Sequence, residues 1–154
     1  MKRLVKLFLL FFVTLAFSNF STAQQPIMKP TLNHVSFYVK DLETSTAFYR
    51  DILGLDTIPE PFHDGKHTWF SIGAGLQLHI ISGADTNPQR QRTTHTCFSV
   101  ASVDAFVAVL VKHKIDYVNV KGEKSAITIR PDGFKQIYFQ DPDGHWIEIS
   151  DAKG

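Results

Sequence analysis

Two stretches of this chain carry the same arrangement of polar residues among apolar ones, and that doubling limits the fold more than any other feature. The first runs from Leu32-Asn33-His34-Val35-Ser36-Phe37-Tyr38-Val39, through a helix-like segment, to Gly75-Leu76-Gln77-Leu78-His79-Ile80. The second runs from Thr94-His95-Thr96-Cys97-Phe98-Ser99-Val100, through another helix-like segment, to Trp146-Ile147-Glu148-Ile149. His34 and His95 each open a short alternating run with a valine five residues on, and Gln77 and Glu148 each sit between aliphatic residues in the last run of their half. Alternation sends successive side chains to opposite faces of a strand. His34, Ser36 and Tyr38 therefore share the face opposite Val35, Phe37 and Val39, and Gln77 and Glu148 lie opposite their aliphatic neighbours.

Between the matched runs the halves follow one order. Asp41 is a candidate N-cap for a helix reaching Leu53, with Gly54 as its stop and Leu42, Phe48 and Ile52 toward the sheet. Asp56 to Asp64, with Pro59 and Pro61, reads as a variable loop or irregular edge strand. Thr68 to Ile72 and Leu76 to Ile81 read as strands around the turn Gly73-Ala74-Gly75, and the polar segment Ser82 to Thr93 reads as the linker between halves. In the second half Ser102 caps a helix from Val103 to His113. Strands follow at Tyr117 to Val120, Ile127 to Arg130, Lys135 to Gln140 and His145 to Ser150, the last entered through the strong turn Asp141-Pro142-Asp143-Gly144. The order is β-α-β-β-β twice. It predicts an α+β domain over 31–152, built of modules 31–82 and 93–151, whose sheets join into one curved mixed sheet around a cavity.

The amino terminus reads differently. Lys2, Arg3 and Lys6 precede an apolar run from Leu7 to Phe17, and Ser21-Thr22-Ala23 supplies small residues. This is the pattern of a secretory signal peptide over residues 1–23, cleaved after Ala23 and followed by an extended lead-in over 24–30. The run is short for a span of about 20 residues, so no membrane association is expected after cleavage. Losing those three cations leaves 13 bases against 15 acids, a formal charge of −2 in place of +1. That balance gives no reason to expect a nucleic-acid or anionic-membrane partner. The single cysteine, Cys97, excludes an internal disulfide, so stability rests on the core.

His34, Gln77, His95 and Glu148 all project to the non-helix side of their strands. A carboxylate on a cavity wall is costly unless it is paired or bound to a cation. His34, His95 and Glu148 make a two-histidine, one-carboxylate set suited to a divalent metal with open positions, and Gln77 adds a neutral oxygen. A lone strand histidine is more often an ordinary hydrogen-bonded residue; the repeat raises the metal reading. His79 shares the parity of Gln77 and is a candidate supporting or substitute ligand. Ser36, Trp69, Cys97 and Tyr138 are candidate pocket residues, Trp69 and Tyr138 being equally explicable as packing, and Ser99 and Gln136 share their parity. Cys97 reads as buried and not activated. His145 reads as exposed after its turn, and His63, His67 and His113 as surface residues. Arg130 and Lys135 flank Pro131-Asp132-Gly133 and are candidates to meet an anionic substrate, solvated loop charge being the simpler account.

Leu32-Asn33-His34-Val35, the segment Ala47-Phe48-Tyr49-Arg50-Asp51-Ile52-Leu53-Gly54-Leu55, and Phe139-Gln140-Asp141-Pro142-Asp143-Gly144-His145-Trp146-Ile147-Glu148 resemble the vicinal oxygen chelate superfamily of glyoxalase I, fosfomycin-resistance thiol transferases, extradiol dioxygenases and bleomycin-binding proteins. The resemblance covers Leu32 to Asp151. It implies paired βαβββ modules around one divalent ion (Zn, Ni, Co, Mn or Fe), with His34, His95 and Glu148 at ligand positions. Gln77 falls where glyoxalase I carries glutamate, which leaves Glu148 as the one carboxylate base and points away from lactoylglutathione lyase activity itself. The basic tail and potassium loop of the thiol transferases are not recognisable. The expectation is an exported, glyoxalase-like lyase or isomerase acting on a small substrate that chelates the metal through vicinal oxygens, in a homodimer whose modules pair within a chain or swap between chains. The alternatives are an Fe(II) extradiol-type dioxygenase and a non-catalytic small-molecule binding protein.

Overall fold

The structure is a computed structural model that describes residues 28–86 and 88–153; the signal-peptide reading falls on residues outside that range. Residues 32 onward form one compact unit. In chain order its elements are β1 (His34–Val39), α1 (Leu42–Asp51), β2 (Thr57–Ile58), β3 (His67–Ser71), β4 (Gln77–Ser82), β5 (His95–Ser99), α2 (Val103–Lys112), β6 (Thr128–Ile129), β7 (Lys135–Gln140) and β8 (Trp146–Ser150). The two βαβββ modules and the α+β class are as the sequence pattern predicts. Among the described residues they form two four-stranded sheets, β1-β4-β3-β2 and β5-β8-β7-β6. In each, the first and last strands of the module pair in parallel and the rest of the ladder is antiparallel.

Both helices start where the sequence places their caps. The Asp41 carboxylate accepts the Thr44 amide at 2.6 Å, and the Ser102 hydroxyl accepts that of Ala105 at 3.2 Å. Each bond satisfies a donor that the first helical turn leaves free. Gly54, with φ of +69°, takes the left-handed conformation that follows α1. The expected Leu42, Phe48 and Ile52 all reach the core, and the buried face of α1 extends beyond them. Ser45 and Tyr49 are its fully buried residues, while Leu42 and Phe48 are partly buried. A tyrosine can sit there because its hydroxyl has a partner from the other module, described below. The expected strand at Tyr117–Val120 reduces to isolated bridges from Val118 to Lys124 and Tyr138.

One continuous core runs through both modules. Val39, Tyr49, Phe70, Leu78 and Ile80 meet Val103, Leu110, Ile137, Phe139, Ile147 and Ile149 within it. Phe139 is the join, its ring 6.2 Å from Phe48 and 5.8 Å from Phe106. The modules thus pack through their helix-bearing sides. The opposite faces, which carry the matched polar residues, turn outward.

The turn Asp141–Gly144 fastens this packing. Asp143 accepts the Lys40 amide at 2.8 Å and the Ser45 hydroxyl at 2.9 Å. Asp141 accepts the Tyr49 hydroxyl at 2.8 Å and, within its own turn, His145 Nδ1 at 2.9 Å together with the amides of Asp143 and His145. The His145 ring stacks on Phe37 at 4.5 Å and is only 7% exposed. The sequence reading of His145 as exposed is therefore corrected: a buried carboxylate gathers it inward. Burial and the neighbouring Asp141 charge push the Tyr49 hydroxyl well above the usual phenol range, so it stays a donor.

Candidate metal and substrate site

On the outer face of the first sheet, strand register decides which side chains are neighbours. His34 pairs with Gln77, and Ser36 pairs with His79, which in turn faces Trp69 on β3. On the second sheet His95 pairs with Trp146, and Cys97 pairs with Glu148, which faces Tyr138 on β7. In each sheet the opening histidine is followed two residues later by the residue that faces the central polar group. Counted so, His79 stands in the place of Glu148, Trp69 in that of Tyr138 and Ser36 in that of Cys97. Gln77 stands in the place of Trp146. The sequence match of Gln77 to Glu148 was therefore displaced by two residues, a shift that preserves parity and so left no trace in the alternation.

The first face is an aromatic column. The His79 ring lies 3.9 Å from Trp69 and 4.2 Å from His34, both stacked within 9° of parallel. Phe62 caps Trp69 edge-on at 6.0 Å. Gln77 Oε1 accepts from His79 Nε2 at 2.8 Å, and Asn33 Oδ1 accepts from His34 Nδ1 at 2.8 Å. Burial, with the positive potential of His34 and His67 added, lowers the His79 pKa and favours its neutral form.

The second face is built around a carboxylate. His95 Nε2 lies 3.0 Å from Glu148 Oε2. The Arg92 carbonyl accepts from His95 Nδ1 at 2.8 Å. A carbonyl can only accept, so the ring carries its proton on Nδ1 and a neutral ring turns the Nε2 lone pair toward Glu148. Two acceptors at that separation call for a shared proton or a cation. The Arg92 side chain holds this segment in turn, donating to Val120 O at 2.6 Å with its guanidinium 5.6 Å from the Tyr138 ring centre and 5.9 Å from that of Trp146. Burial and the Glu148 charge push the Cys97 thiol up to about 11 and the Tyr138 hydroxyl above its ordinary range, so both remain protonated beside the carboxylate. Gln136 donates to the Tyr138 hydroxyl at 2.7 Å. Cys97 is exposed as a residue, contrary to the sequence reading.

The two faces do not meet within one chain. No three His, Cys, Asp or Glu side chains among the described residues come together around a point that could hold one metal ion. His95 and Glu148 are brought together; His34 stands with His79 and Gln77 elsewhere. The physical cause is the shared core on the helix sides. The donor chemistry nevertheless fits a divalent ion. Each of the three imidazoles has one nitrogen tied to an oxygen acceptor, the arrangement that orients ligating histidines, and the second nitrogen of His95 already faces Glu148. Arg130 and Lys135 are accounted for locally: Arg130 pairs with Asp132 at 2.7 Å and Lys135 with Asp104 at 2.5 Å. Of the remaining histidines, His63 and His113 are exposed and His67 is half-buried against Asp64 at 2.9 Å.

A family model described as the Glyoxalase/Bleomycin resistance protein/Dioxygenase superfamily matches residues 31–149. The chain is 32% identical over 122 residues to a metallothiol transferase FosB of Shouchella clausii, covering 77% of each protein. It is 28% identical over 133 residues to a protein of Arabidopsis thaliana named Glyoxylase I 4, covering 82% of this chain and 74% of that one. Among solved structures it superposes on the oxidase ChaP-H2 with a TM-score of 0.67 at 27% identity, over 82% of this chain and 96% of that one.

Proposed function

This chain belongs to the Glyoxalase/Bleomycin resistance protein/Dioxygenase superfamily, and we propose that it is a divalent-metal-dependent, glyoxalase-like lyase or isomerase acting on a small substrate with two vicinal oxygens. The observation that carries this reading is the pairing of His95 with the buried carboxylate of Glu148 on one module, matched by the oriented imidazoles of His34 and His79 on the other. A divalent ion held there would polarise the substrate oxygens and stabilise negative charge developing on them. His34 and His95 would present Nε2, and His79 its free Nδ1, with Gln77 as the holder of His79 in place of the ligand role read from the sequence.

Glu148 is the one carboxylate of the set and the group able to move a proton between substrate carbon and oxygen. Tyr138 and Cys97, both held protonated, are its cross-strand neighbours and add no second negative charge beside it. Trp69 and Tyr138 wall the two halves of the pocket.

We assign the complete site to two copies of the chain, His34 and His79 from one and His95 and Glu148 from its partner. Two facts support this: His34 and His95 stand at exposed strand positions, and among the described residues three ligands do not converge within one chain. The test mixes His34→Ala and Glu148→Ala chains carrying different tags. Each variant alone is expected to lose metal, and the mixed dimer to regain about one ion per two chains, because one of its two sites is intact. Retention of full metal by either homodimer would end the ligand assignment; failure of the mixed dimer to recover any would end the shared site.

The likeness to an oxidase favours one second reading, with iron in the same ligand set and dioxygen as co-substrate. Elemental analysis separates the two, since iron directs the search to oxygen consumption. We also propose export, on the strength of Lys2 to Ala23. An oxidising compartment holds little reduced glutathione, so a glutathione adduct would not be the substrate. A mature chain beginning at Gln24 is the expected result of intact-mass measurement.

A further inference from the structure

Beside His95, between the outer edges of β1 and β5, lies a cavity of about 360 Å³ bordered by Ser36, Arg90, Thr94, His145 and Trp146. Arg90 is its unusual member. Its Nε is buried and has no hydrogen-bond partner, and no ion pair forms between Arg90 and any described carboxylate. The nearest candidates are already engaged. Asp141 holds Tyr49 and His145, and Asp143 holds Lys40 and Ser45. The backbone of Arg90 is fixed, its carbonyl accepting from Trp146 Nε1 at 3.0 Å. A guanidinium is always charged, and a buried donor left unpaired is costly. Here the Nε is enclosed, and the residue borders, together with Ser36 and Thr94, a cavity with room for a small molecule.

We propose that this cavity is an oxyanion subsite in which Arg90 receives a carboxylate or phosphoryl group through its planar fork. A guanidinium matches the paired oxygens of such groups, and among the described residues no carboxylate competes for it at ion-pairing distance. Because His95 borders the same cavity, the subsite narrows the substrate class to an anion whose charged group lies a short distance from the oxygens that meet the metal. That last step rests on the function proposed above; the anion site itself does not.

The test is an NMR titration of the ¹⁵N-labelled full mature chain with acetate and, separately, with inorganic phosphate at constant ionic strength, each in chelator-treated and metal-loaded protein. Saturable shifts are expected at the Arg90 Nε–H, the Thr94 amide and the Trp146 indole in both forms. Arg90→Gln should weaken binding about tenfold or more, and Arg90→Lys should recover part of it. Unchanged thermal melting of both variants shows that the fold is intact. Saturable, Arg90-dependent binding in metal-free protein upholds the subsite even if no metal is ever found. A response confined to metal-loaded protein and indifferent to Arg90→Gln puts the anion on the metal and overturns the proposal. A merely linear salt response of the wild type overturns it as well. A preference for acetate or for phosphate identifies which oxyanion the subsite takes.

Discussion

The two modules share a strand order and differ in what each places at equivalent points. Before its last strand, the first module turns through Gly73-Ala74-Gly75, which offers the rest of the protein only backbone. The second turns through Asp141-Pro142-Asp143-Gly144, whose two carboxylates accept bonds from Lys40 just after β1, from α1 and from their own loop. At the centre of the outer face the first module has neutral His79 in a stacked column, and the second has Glu148 against His95. One module supplies the clasp and the charge; the other supplies the surface that is clasped and a neutral wall. Duplicated architecture has divided its labour, and the division can be tested position by position.

The turns should give the largest contrast. Asp141→Ala strands the Tyr49 hydroxyl, His145 Nδ1 and two amides in a buried place, and is expected to cost about 3–5 kcal/mol of unfolding free energy. Gly75→Ala, at the matching turn, introduces only backbone strain at a φ of +77° with nothing within 4 Å of the new methyl, and should cost about 1 kcal/mol. Urea denaturation of both variants checks the pair. Equal losses would mean that the clasp contributes no more than a turn.

The outer faces should differ next, in metal affinity. Glu148→Gln removes the only charge from the ligand set and should weaken binding at least about 100-fold, which is about 2.7 kcal/mol. Gln77→Ala leaves the ligands and removes only the acceptor that orients His79, and should weaken binding about tenfold. Competition against a chromophoric chelator measures both. If Gln77→Ala matched Glu148→Gln, Gln77 would be a ligand after all and the register argument for His79 would fail.

Much of this was legible in the residues, and the parts that were not have definite causes. Local chemistry spoke clearly: Asp41 and Ser102 cap their helices, and alternation sends His34, His95 and Glu148 to the face opposite the core. Period-two alternation cannot separate Gln77 from His79, since both have the same parity and both stand between aliphatic residues; only the cross-strand partners, Ser36 for one and His34 for the other, distinguish them. The burial of His145 and Tyr49 depends on Asp141, 92 residues from Tyr49 in sequence. The outward turn of the two faces follows from a core shared across modules at Phe139. Such non-local pairings leave no periodic mark, and the unpaired Nε of Arg90 is visible only in the fold, where Asp141 and Asp143 have other partners.

The helix caps give the smallest contrast and the cleanest sign. Ser102→Ala should cost about 1 kcal/mol at any pH, because a hydroxyl cap does not titrate in the working range. Asp41 does titrate. Its bonds to Thr44 hold its carboxyl below the ordinary aspartate value of 3.8, so the folded state favours the ionised form and binds the proton less readily than the unfolded chain. Stability from this cap is therefore fully present above 3.8 and is lost as pH falls through the depressed folded value. Asp41→Ser should remove that part of the acid sensitivity while keeping a cap, and Ser102→Asp should add a matching sensitivity to α2. Thermal melts of the three proteins between neutral and strongly acidic pH decide it. If Asp41→Ser and wild type lose stability in parallel on acidification, the acid response of the first module originates elsewhere.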